Sequence, residues 1–259
     1  MFKKIIILLK DGLEIDTKSL SKIQEIFSKS ETKTIAFNEV KKTDLIEADL
    51  IITLGGDGTF VKAANLIEDS FILGINAEPD NSEGALMEIH LEEVDKLREI
   101  VKGNFEEILR QRVKIKLNGK ALDEHAINEV YVGATSQFHT SRYKIKFNGV
   151  EEEHRSSGVI ISTGTGSAAW FFSAGGEIFN HDEERLGFVI REPYFGKRIF
   201  KPKILKGFLG REDKIVIESM RDFGGILAIN DATYDFNYGD VVEIELSDKP
   251  LRVIRIRKV

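Results

Sequence analysis

The chain has 259 residues, 42% of them hydrophobic and 31% charged, which suits one large domain or two ordinary ones. Its formal net charge of −6 provides no basic field for nucleic acid or an anionic membrane, so we expect neither as a partner. The lack of cysteine excludes disulfides, thiolate zinc sites and thiol nucleophiles. The apolar run in MFKKIIILLK is too short for a signal segment or a membrane span, which predicts a cytoplasmic protein.

Strand-like and helix-like patterns alternate along the first hundred residues. Apolar runs predict strands at residues 4–9, 32–37, 49–54 and 71–75. Apolar residues at helical spacing predict helices at residues 19–29, 59–68 and 91–102. Such alternation favours parallel strands with helical crossovers, in which ligands bind beyond the carboxyl ends of the strands. We therefore predict an α/β domain with a parallel sheet for residues 1–103.

The pattern changes after residue 103. VKIKLNGKAL and YKIKFNGVEEE each place Asn-Gly between alternating segments, which is a strong hairpin signal. Further strands are predicted at residues 127–132, 159–162, 214–218, 225–229, 241–246 and 251–256, with a short helix near 167–176. We predict a β-rich, sandwich-like second domain for residues 104–259. The last strand belongs either to this domain or, by returning, to the first.

The glycine-rich stretch GGDGT, residues 55–59, connects a predicted strand to a predicted helix. Glycines let the backbone approach a ligand closely, and N–H groups at a helix N-terminus bind phosphate oxygens. Asp57 is suited to accept a proton from an attacking hydroxyl or to share Mg²⁺ with a polyphosphate. Thr59 can cap the helix or donate to phosphate. The alternative is a tight turn in which the aspartate only caps its own helix.

A second stretch, SSGVIISTGTGSAAWFFSAGG, runs from a strand through Thr-Gly-Thr-Gly-Ser into a helix. The small residues Ala168 and Ala169 let a bulky ligand reach the backbone, and three hydroxyls supply short-range donors. Trp170 offers a stacking face. An internally capped loop with a core or interface tryptophan explains the pattern equally well.

A third stretch, INEVYVG, places Asn128 and Glu129 in a β-like run. An adjacent amide and carboxylate can bind sugar hydroxyls. A pair of edge residues facing water is the more common explanation of such a pattern.

The three stretches, in this order, resemble the NAD kinase family, which phosphorylates the 2′-hydroxyl of NAD with ATP. That family carries GGDGT in an N-terminal α/β domain. Its β-rich C-terminal domain carries an Asn-Glu or Asn-Asp pair and a Ser-Thr-x-Thr-Gly-Ser-x-Ala-aromatic segment. The resemblance covers most of the chain, and SSG, TGTGS and SEG are most similar to a branch that includes the mitochondrial NAD kinases of animals.

The resemblance implies that the chain transfers the γ-phosphate of ATP, with Mg²⁺, to NAD and gives NADP. Asp57 would be the catalytic carboxylate beside the acceptor 2′-hydroxyl, while Asn128 and Glu129 would hold the ribose and adenine end of NAD. The residues implied around the phosphates are Gly55, Gly56, Gly58 and Thr59. The other nucleotide-binding candidates are Asn76, Ser157, Thr163, Thr165, Gly166, Ser167, Ala168, Ala169 and Trp170. A homodimer or homotetramer is also implied.

Several positions depart from the family pattern. Ser157 stands where an aspartate near the nicotinamide end of NAD is common, Gly164 where proline is usual, and Trp170 where tyrosine is frequent. Two other kinds of function remain open. Lipid and sugar kinases also carry GGDGT but lack the TGTGS-x-A-aromatic segment, and a non-catalytic nucleotide sensor would have no need to keep Asp57.

Overall fold

The computed structural model describes residues 2–136 and 138–257, which divide into two compact units. The first unit comprises residues 2–109 with 251–257, and the second comprises Arg110–Pro250 apart from residue 137. The boundary predicted at residue 103 therefore lies one strand too early, because the strand that follows it joins the first sheet. The last strand, left open between the two domains, lies in the first.

Strands make up most of the regular structure in the described part of the chain. In chain order they are β1 (Lys4–Leu9), β2 (Glu31–Ala36), β3 (Leu50–Gly55), β4 (Phe71–Asn76), β5 (Ile89–His90), β6 (Phe105–Arg110), β7 (Val113–Leu117), β8 (Lys120–Ala121), β9 (Glu129–Ala134), β10 (Ser141–Phe147), β11 (Val150–Ser156), β12 (Gly158–Ser162), β13 (Leu186–Arg191), β14 (Lys206–Leu209), β15 (Lys214–Ser219), β16 (Gly225–Ile229), β17 (Ala232–Asp235), β18 (Val241–Leu246) and β19 (Leu251–Ile256).

The helices are few and short. They are α1 (Thr17–Ile26), α2 (Lys42–Leu45), α3 (Asp57–Leu66), α4 (Leu97–Val101) and α5 (Trp170–Ser173), with 3-10 turns at Phe37–Glu39, Leu91–Lys96 and Gly166–Ala168. None of the helices in the described part of the chain has the length and apolar character that a membrane span requires.

The first unit is built on a sheet with strand order β2-β1-β3-β4-β19-β6, and β5 pairs with β4. The pairs β1–β2, β1–β3, β3–β4 and β4–β19 are all parallel, which confirms the predicted α/β fold. Every residue of β3 is buried, as expected for an interior parallel strand whose two faces are covered. The strand order reverses between β1 and β3, and α3 begins at the carboxyl end of β3.

The second unit consists of two antiparallel sheets, with strand orders β11-β10-β15-β18-β7-β8 and β14-β13-β12-β9-β16-β17. One apolar core joins them: Ile145 and Ile217 from the first of these sheets pack in the same cluster as Val132 and Phe188 from the second. Side chains alternate between this core and the surface along β10, as the two-residue period of a strand requires. The predicted sandwich-like β-rich domain is confirmed.

Both predicted hairpins form around their Asn-Gly pairs. Asn118 and Gly119 have φ of 52° and 76°, and Asn148 and Gly149 have φ of 49° and 74°. Two consecutive positive φ angles define the turn that best matches the twist of paired strands, and Asn-Gly adopts it at low cost. The hairpins β7–β8 and β10–β11 result.

Other parts of the sequence-based assignment also differ from the structure. The helix predicted at 91–102 divides into a 3-10 turn and the short α4, followed by Gly103 at φ 82°. No element is predicted at β13 or β14, yet both pair in the second sheet of the sandwich. The strand β13 is nearly all apolar and buried, so its sequence lacks the alternation that marks a strand with one exposed face.

Candidate active site

The GGDGT stretch forms the turn from β3 into α3. Gly56 is the residue before the helix, and its carbonyl accepts the N–H groups of Thr59 at 3.0 Å and Phe60 at 3.2 Å. The carbonyl of Gly55 accepts the N–H of Ala77 at 3.0 Å, which ties the turn to the end of β4. The turn follows an interior strand where the strand order reverses, which is where open α/β sheets bind ligands.

The three glycines of this turn have different reasons to be glycine. A Cβ on Gly55 would lie 2.5 Å from Thr59 Oγ1, and a Cβ on Gly56 would lie 2.5 Å from Ser82 Oγ. Packing within the protein therefore leaves no space for a side chain at either position. A Cβ on Gly58 meets nothing within 4 Å, and this residue is exposed in the first turn of α3. Gly58 therefore leaves space beside Asp57 that the described residues do not fill.

The carboxylate of Asp57 does not cap its own helix. Its Oδ2 accepts the N–H of Ala85 at 3.1 Å and its Oδ1 accepts the N–H of Leu86 at 2.8 Å. The N–H of Asp57 donates to Ser82 Oγ at 3.2 Å. The loop after β4 thus fixes the orientation of the half-buried carboxylate. Because a carboxylate has about four lone-pair positions, each oxygen keeps capacity for a further donor.

Asn76, at the end of β4, orders this loop. Its Oδ1 accepts the N–H of Glu78 at 3.0 Å and its Nδ2 donates to the carbonyl of Ser82 at 3.4 Å. Gly84 has φ +68°, and a Cβ there would lie 2.7 Å from Asn76 Nδ2. Asn76 is 1% exposed, so this nucleotide-binding candidate has a positioning role in the structure.

The second glycine-hydroxyl stretch forms a tight turn after β12, and its hydroxyls are used within the protein. Thr163 Oγ1 donates to the carbonyl of Ile127 and accepts the N–H of Thr165 at 3.1 Å. The single hydroxyl proton of Ser167 is shared between the carbonyls of Gly164, at 2.8 Å from Oγ, and Phe179, at 3.0 Å. Both side chains are fully buried. These two hydroxyls are used within the protein in this structure, and their place in nucleotide binding stays a prediction.

Thr165 and the alanines of the same turn are placed differently. Thr165 Oγ1 accepts from Arg110 Nη1 at 3.2 Å and is half-buried. Ala168 and Ala169 are exposed, as a surface that receives a ligand requires. Gly164 is enclosed, because a Cβ there would lie 1.9 Å from the carbonyl oxygen of Asn180.

Asn128 and Glu129 lie against this turn. The carbonyl of Asn128 accepts the N–H of Thr163 at 2.9 Å, and a Cβ on Gly166 would lie 2.7 Å from Asn128 Cα. Glu129 begins β9 directly opposite Ser162. The fold therefore brings the second and third sequence stretches together.

Glu129 carries an unusual carboxylate. Its Oε2 is buried and accepts no hydrogen bond from any described residue. Burial raises the pKa of this carboxyl. Buried polar atoms are nearly always paired, so an acceptor without a donor, with a perturbed pKa, marks a candidate for ligand contact.

An aromatic and charged cluster surrounds Ser157. Trp170 lies 5.4 Å from Tyr131 between ring centroids, and the Arg191 guanidinium lies 5.2 Å from the Trp170 ring. The Tyr131 hydroxyl donates to the carbonyl of Ser157 at 2.6 Å, and Ser157 Oγ donates to the carboxylate of Glu192. Glu192 has φ 50°, which is uncommon for a residue other than glycine and recurs at functional sites.

Sequence reasoning missed two groups of residues here. The Ala85 and Leu86 N–H groups carry no side-chain signal, since any residue supplies a backbone donor. Glu192 is adjacent to Ser157 only through the pairing of β12 with β13, in which Gly158 is opposite Arg191. Predicting β13 would have identified it. Among the described residues, no three His, Asp or Glu side chains are grouped as a metal site.

Comparisons with known proteins show which family the chain resembles along most of its length. Residues 6–105 match the family model "ATP-NAD kinase N-terminal domain". The NAD kinase of Methanosarcina acetivorans is 30% identical over 213 residues, covering 80% of this chain and 74% of the relative. A probable NADH kinase of Oryza sativa subsp. japonica is 27% identical, covering 96% and 83%. The mitochondrial NAD kinase 2 of Xenopus tropicalis is 24% identical, covering 81% and 72%.

Solved structures share the fold over nearly the whole chain. An NAD kinase from Archaeoglobus fulgidus, crystallised with ATP, gives a TM-score of 0.73 at 23% identity, covering 98% of this chain and 93% of that one. Yeast NADH kinase complexed with NADH gives 0.80 at 18% identity, covering 98% and 84%. The parallel sheet with its glycine turn and the antiparallel sandwich thus define the two-unit fold of the dinucleotide kinases. The chain belongs to the NAD kinase family.

The different packing of the glycines gives a first test. Gly58→Ala is expected to keep the free energy of unfolding or to raise it by up to about 1 kcal/mol, because alanine is the better helix residue and the space is open. Gly56→Ala is expected to lower it by about 1–3 kcal/mol, the usual cost of overpacking, because the new methyl meets Ser82. Urea unfolding measures both values.

Ser82→Gly provides the control for Gly56→Ala. Removing the Ser82 side chain frees the space that the new methyl needs, so the double variant should lose less free energy than the sum of the two single variants. Additive losses would show that the contact with Ser82 does not limit this position.

Proposed function

We propose that this protein is an NAD kinase that transfers the γ-phosphate of ATP to the 2′-hydroxyl of the adenosine ribose of NAD, giving NADP. The observation that carries the proposal is the Asp57 carboxylate, held by two backbone N–H groups beside the open position at Gly58. Family membership supports the substrates, and the geometry supports the reaction.

The glycine turn receives the phosphates of ATP. The N-terminus of α3 directs backbone N–H groups and the positive end of the helix dipole at anions. Glycine at position 58 lets phosphate oxygens approach the backbone, because a side chain would occupy that space. Phosphoryl transfer passes through a loose transition state, so catalysis depends mainly on positioning and charge neutralisation.

Mg²⁺ enters this proposal as part of the ATP substrate. The half-buried Asp57 carboxylate offers oxygen donors of the kind that Mg²⁺ prefers, and its oxygens keep lone pairs beyond those used by Ala85 and Leu86. When bound, the ion neutralises charge on the triphosphate. The protein's own part is to fix the carboxylate.

Asp57 orients the 2′-hydroxyl of NAD and accepts its proton as the phosphoryl group transfers. The two N–H donors keep the carboxylate from rotating toward its own helix, so its free lone pairs keep a fixed direction. A general base that is held in place contributes typically 10²–10⁴-fold to the rate.

Asn128 and Glu129 bind the ribose hydroxyls of NAD. Glu129 Oε2 lacks a donor among the described residues, and a sugar hydroxyl supplies one. The backbone of Asn128 is fixed against Thr163 and Gly166, so the pair is presented by a rigid turn. Ala168, Ala169 and Trp170 contribute an exposed surface on the same turn.

Glu192 takes the place of the aspartate that the family commonly has at Ser157. Its carboxylate reaches Ser157 Oγ, so a negative charge returns to this position from the neighbouring strand. Together with Tyr131, Trp170 and Arg191 it forms the subsite for the nicotinamide end. A homodimer or homotetramer and a cytoplasmic location stay predictions.

The Asp57→Asn variant tests the central role. Turnover should fall at least about a hundredfold, because the amide cannot accept the proton. NAD should still bind, as measured by calorimetric titration. Incubation with ATP, Mg²⁺ and either NAD or NADH, followed by an assay of the phosphorylated product, gives turnover and identifies the acceptor. The exposed Asp80 of the same loop supplies the control, since Asp80→Asn removes the same charge without touching the turn.

Near-normal turnover of Asp57→Asn would remove Asp57 from catalysis. Absence of NADP formation by the native protein would overturn the proposal itself. In that case a lipid or sugar alcohol as acceptor, or NAD binding without turnover, would point to a GGDGT kinase of another class or to a nucleotide sensor.

Glu129→Gln separates ligand binding from stability. The KM for NAD should rise, with a smaller change in kcat, because a sugar contact exists in the ground and transition states alike. Burial raises the pKa of Glu129 above its unfolded value of about 4.3, so the native state binds more protons between the two values. The free energy of unfolding therefore falls as pH rises through that window, whereas the glutamine has no such loss.

The free energy of unfolding of Glu129→Gln should therefore rise relative to that of the native protein as the pH increases. Thermal unfolding between about pH 4 and 8 measures this difference. Glu212→Gln is the control, because Glu212 is exposed in a turn. A difference in the free energy of unfolding that does not change with pH would mean that burial does not raise the pKa of the Glu129 carboxyl. An unchanged KM would exclude it from the NAD site.

Glu192→Gln tests the nicotinamide subsite. The KM for NAD should rise several-fold, since the glutamine keeps the size of the side chain but loses the charge. Adding Ser157→Asp should restore the affinity for NAD, because it supplies a carboxylate at the same place from the residue before β12. No rise in KM, or no recovery in the double variant, would contradict the assignment.

A further inference from the structure

A second pocket in the sandwich unit is lined by arginines and aromatic rings. It has a volume of about 540 Å³ and lies at one end of β10 and β11 and after β15. Arg142, Arg155 and Arg221 line it, and Asp222 is the one carboxylate among the described lining residues. None of the residues in the proposed reaction lines this pocket.

The arginines break a charge pattern that the rest of this sheet surface obeys. On the surface of the hairpin β10–β11, Lys146 is opposite Glu151 and Lys144 is opposite Glu153. On the other side of β10, Lys144 is opposite Glu218. Opposite charges that face each other across paired strands stabilise a sheet, and like charges destabilise it.

The next pair along the hairpin is Arg142 opposite Arg155. Both side chains lie on the face that carries the lysine–glutamate pairs, because side chains two residues apart share a face. Arg221 follows the end of β15 and donates to the carbonyl of Thr140 at 2.5 Å, which adds a third guanidinium to the same pocket. In a chain with a net charge of −6, this concentration of positive charge requires a reason.

Arg155 is held in place, and its positive charge is only partly paired. Arg155 stacks over Phe200 at 5.2 Å, and its carboxylate neighbour Glu153 is 3.6 Å away, beyond hydrogen-bond distance. Its Nε is buried without an acceptor among the described residues. A guanidinium whose planar face is supported, and whose Nε–H lacks an acceptor, is preorganised to bind an anion.

The aromatic side chains indicate what the anion carries. Tyr194 and Phe223 line the pocket and are 53% and 73% exposed, although rings of this size are usually buried. Flat rings beside arginines suit the base of a nucleotide, since bases stack on aromatic faces and arginines bind phosphate. His139 lies in the same lining.

We propose that this arginine pocket, formed by Arg142, Arg155 and Arg221 with Tyr194 and Phe223, binds the phosphate and base of a nucleotide. The like-charged pair across β10 and β11 is relieved when the phosphate binds. The pocket shares no residue with the reaction proposed at Asp57, so the two proposals can fail separately.

Inorganic phosphate and AMP are the probes for the experiment. The full chain is labelled with ¹⁵N-arginine, and the Nε–H signals are followed during titration. Arg155 and Arg142 signals should shift with either probe, and AMP should bind at least about threefold more tightly than inorganic phosphate because it adds a ring. Arg142→Met and Arg155→Met should each weaken probe binding at least tenfold.

Arg211→Met is the matched control, because Arg211 is an arginine of the same unit that pairs with Glu184 outside the pocket. It should leave probe affinity unchanged. Thermal unfolding gives a second readout. The probe should raise the Tm of the native protein but not of Arg142→Met, whose own Tm without probe should equal or exceed that of the native protein because the repulsion is gone.

Unchanged affinity in Arg142→Met and Arg155→Met would overturn the proposal, and so would an equal loss in Arg211→Met, which would indicate net charge alone. A shift of the native protein to smaller oligomers in these variants, without loss of probe binding, would assign the pocket to a subunit contact and also overturn it. Loss of probe binding with an altered KM for NAD or ATP would support the site and identify a substrate as its nucleotide. Loss with unchanged KM would support the site and identify a separate nucleotide.

Discussion

Two backbone N–H groups hold the Asp57 carboxylate, and much of the first unit serves to bring them there. A carboxylate in the first turn of a helix is attracted to the N–H groups of that helix, which would use its lone pairs locally. The loop after β4 binds the carboxylate instead, and it can do so only because it comes close to the turn before α3. Gly56 has no Cβ to exclude Ser82, and Gly84 leaves room for the Asn76 amide that orders the loop. The orientation of this carboxylate thus depends on missing side chains more than on added ones.

The second unit uses its polar groups in two ways. The buried hydroxyls of Thr163 and Ser167 form hydrogen bonds within their turn, which makes the turn rigid. Glu129, which adjoins that turn, is left with a buried oxygen and no donor. Stability alone would favour an apolar residue or a satisfied one at this position. A rigid turn that presents an unsatisfied carboxylate is the arrangement expected where a substrate completes the hydrogen bonding.

The sequence predicts those features of the fold and of the candidate site that depend on residues close together in the chain. The run at β3, the Asn-Gly hairpins and the glycine turn before α3 were all predictable, because each rests on the preferences of neighbouring residues. The adjacency of Glu192 and Ser157 was not, since it requires the register of β12 against β13. The burial of the Thr163 and Ser167 hydroxyls was not either, because their acceptors at Ile127 and Phe179 are distant in sequence. Motif residues reveal which side chains matter, but not which of their atoms remain available.

The chain carries a net negative charge, and the ligands proposed for it are anions. Its net charge of −6 repels nucleotides at long range. The Debye length at physiological ionic strength is only about 8 Å, so charges within that distance of the ligand matter more than the net charge. The N-terminus of α3 supplies directed dipoles in one unit, and the arginine pocket supplies guanidinium groups in the other. Both depend on a departure from ordinary folding preferences, a glycine inside a helix and two like charges across a strand pair. Neither departure is explained by the stability of the folded chain, and the phosphate binding proposed at each place would account for both.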